Sequence, residues 1–344
     1  MNEPKSVLVR PEDVSPSSEE VEVVGVFNPG AVDADGVVHL LLRVAERPKE
    51  VRPGWVALPA FGPAGRYEVE WVREQNVDRL DPRGVAFRRD GQHRLTTVSH
   101  LRLATSRDGR SIDWISPSPT LAPTTRYEAW GMEDARIVRI GEVYYITYVA
   151  VSGDGIVTAL ARTANFETFE RLGVVFPVEN KNVVLFPRRI GDRYAALHRP
   201  ASRTPIGELG VWLARSPDLL YWGRHERLVI PSPHGRVIRT GAGPPPIETE
   251  RGWLLVYHTV LSPGRGAGVY EARVLLLDRE DPSRIIRVRN SPLFAGDARV
   301  TEEDPLGGVV FPSGWVRREN AYMIYAGQRD EQTTVHIVPE DEII

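Results

Sequence analysis

One short phrase occurs five times in this chain of 344 residues: a polar or glycine-bearing turn followed by a hydrophobic and aromatic strand. The copies are ADGVVHLLLRV (34–44), IGEVYYITYVA (140–150), IGDRYAALHRP (190–200), ERGWLLVYHTV (250–260) and RRENAYMIYAGQRD (317–330). A repeat at intervals of tens of residues marks one supersecondary unit stacked several times. Four copies end on ionisable side chains, namely Arg43, Arg199 with His198, His258 and Asp330, so equivalent strands would bring these groups to one place.

A second phrase alternates with the first. ATSRDGRSIDW (104–114), ARTANFETFERLG (161–173) and ARSPDLLYWGRH (214–225) share a small residue, a basic residue, Ser or Thr, a polar turn and a late aromatic, and LLLDREDPSRII (275–286) is a degenerate fourth copy. Such alternation is that of the middle hairpins of successive propeller blades. The 28 prolines and 30 glycines are scattered and gather into no linker. Many short strands between frequent turns read as an all-β fold. The gap between the first two copies is about twice the others, and a further unit holding 67–74 and 95–104 would fill it. The expectation is one domain over 1–344, a five-bladed β-propeller with its site at one mouth of the central channel and residues 1–20 as an N-terminal extension. Four or six blades, or a pair of β-sandwiches, are the competing architectures.

Composition narrows the function. A net charge of −3, from 43 basic and 46 acidic residues, supplies no basic field for nucleic acid and no polybasic run for membranes. Cysteine is absent, which excludes disulfides and thiolate metal sites. No metal-ligand spacing and no Gly-rich nucleotide loop occurs, so neither metal nor cofactor is expected. The N-terminal MNEPKSVLVRPEDV lacks the basic-then-apolar pattern of a secretion signal, and a cytoplasmic protein is expected. Monomer and homo-oligomer both stay open.

Three segments carry candidate chemistry. GMEDARI (131–137) sets Glu133 beside Asp134 just before a strand, where simple alternation would send only one carboxylate into a pocket, and puts Arg136 on the face of Asp134. A solvated acidic turn is the competing reading. PVENKNVVLFPRRI (177–190) offers Lys181 and Asn182 at a turn, and GRVIRTGAGPPPI (235–247), read as a loop, offers Arg239 beside Gly and Pro. Lys181, Arg199, Arg239 and His258 together would suit an anion such as phosphate. His93, His100, His225 and His234 read as ordinary surface or core residues.

GMEDARI, PVENKNVVLFP, LHRP, WLARSPDLLYWGRH, GAGPPPIETERGWLLVYH and VVFPSG resemble, in order and spacing, glycoside hydrolase family 130, over about residues 27–330. The resemblance implies a five-bladed propeller and a β-mannoside phosphorylase. Such an enzyme cleaves a manno-oligosaccharide or mannosyl-glucose with inorganic phosphate as co-substrate, inverting to α-mannose 1-phosphate. It implies Asp134 as general acid, its proton passing through the mannosyl 3-hydroxyl, in place of the usual carboxylate pair. It implies Lys181, Asn182, Arg199, Arg239 and His258 as phosphate ligands, and Asn28, Arg43 and Asp330 as sugar ligands. Glu133, Arg136, His198 and Tyr257, beside these positions, complete the expected substrate-binding set. The family's hydrolases, β-1,2-mannosidases, lack the basic phosphate ligands, so the basic set here favours phosphorolysis. A non-catalytic carbohydrate-binding propeller is the remaining alternative and leaves Asp134 without a purpose. The chain departs from the family pattern at Ala135, Thr259, Gly307–Gly308 and around Asp330.

Overall fold

Each copy of the opening phrase is the second strand of an antiparallel sheet of four or more strands. The computed structural model describes residues 6–62, 65–81, 83–201, 209–231, 237–262, 268–298, 300–301 and 303–344. The first sheet orders Val21–Ala34, Val37–Pro48, Val98–Ser106 and Trp114–Ile115; the second orders Gly131–Ile140, Val143–Ser152, Gly155–Thr163 and Glu170–Phe176. The third contains Asn180–Leu185, Tyr194–Pro200, Trp212–Ser216 and Gly223–Arg227. The fourth is built on Val237–Ala242, Gly252–Leu261, Val269–Leu277 and Ile285–Val288, and the fifth on Val310–Arg318, Ala321–Gln328 and Gln332–Pro339. The fold is all-β; helical structure among the described residues is limited to single 3-10 turns, and no helix is long and apolar enough to cross a membrane.

The second phrase has a local cause. It is the turn from third to fourth strand, where a Ser or Thr caps one backbone N–H and an Asp or Asn two residues on caps the next ones. Ser106 Oγ accepts from Gly109 N while Asp108 accepts from Arg110 N and Ser111 N. Thr163 with Asn165, and Ser216 with Asp218, repeat the pattern. Short polar side chains satisfy these turn amides where no strand partner can.

Two expectations change. Ser6–Val9, inside the stretch assigned to an extension, pairs with Gln332–Pro339 as the outer strand of the fifth sheet, where Leu8 and Val9 pack into the apolar cluster of Val26, Val316 and Val335. The long gap holds no extra repeat unit: Val98–Ser106 is the third strand of the first sheet. Residues between Pro48 and Val98 are instead an insertion. A ribbon of Trp55–Phe61 and Tyr67–Arg73 packs Val56 and Leu58 onto Val77 and Val85 of a small sheet of Val77–Asp81, Gly84–Phe87 and His93–Leu95. His234, the first two residues of the 235–247 loop and residues 1–5 lie outside the described residues.

First strands of successive sheets pack on one another: Val21–Ala34 on Gly131–Ile140 and on Val310–Arg318, Gly131–Ile140 on Asn180–Leu185, and Asn180–Leu185 on Val237–Ala242. Apolar clusters lie between adjacent sheets, such as Leu41, Ile137 and Ile146 between the first and second. The first strands of neighbouring sheets thus lie together, and a site can be assembled on them.

Candidate active site

The first strands of three sheets share one irregularity. Phe27 pairs with Arg43 but Gly30 with Leu41; Glu133 pairs with Val149 but Arg136 with Thr147; Lys181 pairs with Arg199 but Val184 with Leu197. Each strand thus carries a bulge of one extra residue, and Asn28, Asp134 and Asn182 in these bulges adopt left-handed φ values of 49°, 51° and 56°. Asn and Asp are among the few non-glycine residues that enter this region readily. A bulge breaks alternation and re-aims side chains. This overturns three expectations: Glu133 with Asp134, and Lys181 with Asn182, lie within strands and not in turns, Arg239 lies in the Val237–Ala242 strand, and the two adjacent carboxylates do not point to opposite faces.

Glu133 and Asp134 meet the same guanidinium. Arg43 Nη2 donates to Glu133 Oε1 at 2.8 Å, Nη1 donates to Asp134 Oδ1 at 3.1 Å, and Nε donates to Ser99 Oγ at 3.1 Å. Asn28 Nδ2 donates to Asp134 Oδ1 at 2.9 Å, and Lys181 Nζ lies 3.9 Å from Glu133 Oε2. Burial by itself would raise the Asp134 pKa, but Arg43, Arg136, the Asn28 hydrogen bond and Lys181 outweigh it and hold the carboxyl below its ordinary value. Arg136 does not hydrogen-bond to that carboxylate. Its Nη1 donates to the backbone oxygens of Asp134 and Ala135, its Nε donates to Gly243 O at 2.7 Å, and its guanidinium lies 5.1 Å from the Phe311 ring centre. It fixes the bulge and contributes field.

Beyond Lys181 lies a group without carboxylates. Arg199 is 7% exposed, its Nε has no hydrogen-bond partner among the described residues, and burial and then the Arg239 charge lower its pKa to about 10. Arg239 donates from Nη2 to the Tyr270 hydroxyl at 2.5 Å. His258 is fully buried between Tyr270 and Phe311, and its Nε2 lies 3.5 Å from Asn182 Nδ2. Burial, then Arg199, Arg239 and Arg136, push its pKa well below the usual imidazole value. His258 is therefore neutral, and the expected four basic groups are three cations and one neutral donor or acceptor. A Cβ on Gly241 would strike both Asn182 and the His258 ring, so glycine is required for this close approach.

A cavity of about 790 Å3 opens from the carboxylate end, lined by Arg43, Glu133, Lys181 and Asp330 and, farther out, by Trp55 and Trp71 of the insertion. Asp330 Oδ2 forms an ion pair with Arg83 Nη1 at 2.5 Å, and the Asp330 charge acts on Arg43. Two expected residues are not brought to this group. His198 faces away from it, bonded to Asn180 and His225 and stacked on Phe176. Tyr257 is buried in the cluster of Trp253, Leu255 and Ala242. In a regular strand the neighbours of Arg199 and His258 must point the other way. Ser99, Tyr270 and Arg83 join the site without having been singled out; Phe311, within the VVFPSG motif, carried the one legible signal.

The family model for glycoside hydrolase family 130, described as β-1,4-mannooligosaccharide phosphorylase, matches residues 83–344. A β-1,2-mannobiose phosphorylase from Listeria innocua is 37% identical over 332 residues, covering 94% of this chain and 91% of that protein. A 1,2-β-oligomannan phosphorylase from a Thermoanaerobacter species is 30% identical, covering 94% and 93%. The solved complex of the Listeria innocua β-1,2-mannobiose phosphorylase with β-1,2-mannobiose superposes with a TM-score of 0.89 at 35% identity, covering 98% of this chain and 95% of that one.

Proposed function

Since the chain belongs to glycoside hydrolase family 130 and is an enzyme of the mannoside phosphorylase kind, we propose that it cleaves β-1,2-linked manno-oligosaccharides with inorganic phosphate, with inversion, releasing α-mannose 1-phosphate. The observation that carries this reading is the pair Arg199 and Arg239 beside Lys181, with no carboxylate in ion-pair contact with either arginine among the described residues. Arg199 is buried and Arg239 and Lys181 are half-buried, and cations gathered so repel one another until an anion neutralises them. A hydrolase would need a carboxylate there to activate water. The linkage rests on the two relatives whose names specify 1,2-linked mannosides. We further read the five sheets as the blades of a five-bladed propeller around the site, a reading supported by the packing of successive first strands.

In this proposal Asn28, Arg43 and Asp330 hold the mannosyl unit, while Lys181, Asn182, Arg199, Arg239 and His258 hold phosphate. A phosphate oxygen bonds to the anomeric carbon from the face opposite the leaving sugar, and the glycosidic carbon–oxygen bond breaks. The proton of Asp134 passes through the sugar 3-hydroxyl to the departing oxygen. Phosphate is the nucleophile, so no second carboxylate serves as base and no cofactor enters. Without an anion, the surrounding cations keep Asp134 ionised. Bound phosphate offsets those cations and restores the proton affinity that the acid needs.

The test is incubation with β-1,2-mannobiose, β-1,4-mannobiose and mannosyl-glucose, with and without phosphate, following mannose 1-phosphate and free mannose. Phosphate-dependent release of mannose 1-phosphate, fastest from the 1,2-linked sugar, is expected. Phosphate-independent release of free mannose alone would establish the hydrolase instead.

A further inference from the structure

The inserted ribbon buries one face and presents the other to the cavity. Val56 and Leu58 pack into the small sheet below, Val56 also bordering the cavity, while Trp55, Ala57 and Trp71 line its wall. Trp55 pairs with Arg73 and Ala57 with Trp71, so both indoles lie on one face of the ribbon with a small alanine beside them. The Arg73 guanidinium lies over the Trp55 ring, 4.0 Å from its centre, and that of Arg52 over the Trp71 ring at 4.2 Å. These two rings are half-buried on a cavity wall that also carries guanidinium groups.

The cavity also has a direction. Lys181 is its one phosphate-group lining residue; Arg199, Arg239 and His258 are not among those that line it. It runs from Arg43, Glu133 and Asp330 away from the anion group, toward the side from which a leaving sugar departs. At about 790 Å3 it stands in the upper part of the roughly 300–1,000 Å3 range of ligand pockets. The insertion is moored to its surroundings. Phe61 N donates to Ala129 O at 2.7 Å, Arg94 stacks on Trp130 at 4.2 Å, and Arg83 pairs with Asp330.

Resting on the phosphorylase reading, we propose that Trp55 and Trp71 form a stacking platform for the mannosyl units of the substrate beyond the first leaving-group sugar, so that the insertion sets chain-length preference. Flat aromatic faces take the C–H faces of pyranose rings, and the guanidinium of Arg52, which also lines the cavity, meets hydroxyls. The bound segment is a β-1,2-linked mannan chain continuing from the cleaved bond.

The test compares β-1,2-mannobiose with the tri- and tetrasaccharide in wild type, Trp55→Ala, Trp71→Ala and Trp71→Phe. Both alanine variants are expected to keep kcat/KM for the disaccharide within about twofold and to lose about tenfold for the longer sugars, chiefly through KM. Trp71→Phe restores most of that loss. An equal fall for all lengths, or no change for any, overturns the platform. Calorimetric titration with the tetrasaccharide, without phosphate, separates this result from the reaction itself. If the wild type turns over no β-mannoside, binding that weakens about tenfold in Trp71→Ala still upholds the platform. Equal binding by wild type and variant, or none by either, overturns it.

Discussion

Arg239 bears on Arg199: burial first, and then the charge of Arg239, lower the proton affinity of a guanidinium whose Nε has no partner among the described residues. A fold selected for stability alone would not keep such a pair, so its cost predicts what removes it. Arg199→Met deletes a buried charge while retaining most of the chain's bulk. In phosphate-free buffer it should unfold no earlier than wild type, and by about 1 kcal/mol later. Wild type should gain about 2.7 kcal/mol at phosphate one hundred times its Kd, and the variant little of that. Scanning calorimetry with and without phosphate checks both, and a variant with an undiminished phosphate gain would count against the anion site.

Asp134 gives a second prediction through two readouts. Asp134→Asn cannot supply the proton, and phosphorolysis should fall by roughly 10²–10⁴-fold, the usual worth of a general acid. The native pKa lies below the ordinary value, so the ionised carboxylate contributes stability that is complete above about pH 4 and is lost as pH falls through the native value. Wild type should therefore lose stability more steeply than Asp134→Asn on acidification below pH 4. Denaturant melts at stepped pH measure this, and identical slopes would remove Asp134 from the buried ion cluster.

The architecture was legible because the first phrase recurs in all five sheets and the second, in full or degenerate form, in four: the strand that ends in Arg43 or Arg199, and the capped turn of Ser106–Asp108 or Ser216–Asp218. The convergence of Asn28, Arg43, Asp134 and Lys181 was legible from the motifs. The geometry that brings them together was not, because period-two alternation assumes a regular strand, and Asn28, Asp134 and Asn182 each sit in a bulge. The same alternation, where it does hold, turns His198 and Tyr257 away from the site. The insertion was misread because its short alternating strands have the composition of any blade strand; only pairing partners distinguish them.

Buried neutral histidines predict acid lability above the carboxylate range. Burial and then a neighbouring positive or imidazole group lower His100 and His198 to about 3, and His258 also lies well below its usual value. The unfolded chain then takes up protons first as pH falls. Stability is complete above about pH 6.5 and declines below it, with a slope approaching about 1.4 kcal/mol per pH unit for each histidine. Urea melts at pH 7, 6 and 5 should reveal the decline. His198→Asn, whatever its stability at pH 7, should flatten the slope by about one proton; an unchanged slope would mean that His198 already titrates normally in the native state.

Gly241 offers the sharpest separation of site from fold. It lies in a regular strand opposite His258, and a Cβ there would collide with the Asn182 amide and the His258 ring. Both neighbours are buried, and Asn182 sits in a bulge held at φ 56°, so neither can withdraw without moving its donor. Gly241→Ala should thus raise the KM for phosphate by about tenfold or more, through displaced donors, while KM for the mannoside changes little, since Arg43 and Asp330 are untouched. Gly223→Ala is the matched control, because its Cβ meets nothing within 4 Å. Initial rates across phosphate concentrations at saturating mannoside compare the two variants. A Gly241→Ala enzyme with wild-type phosphate dependence would mean that Asn182 and His258 do not touch the anion.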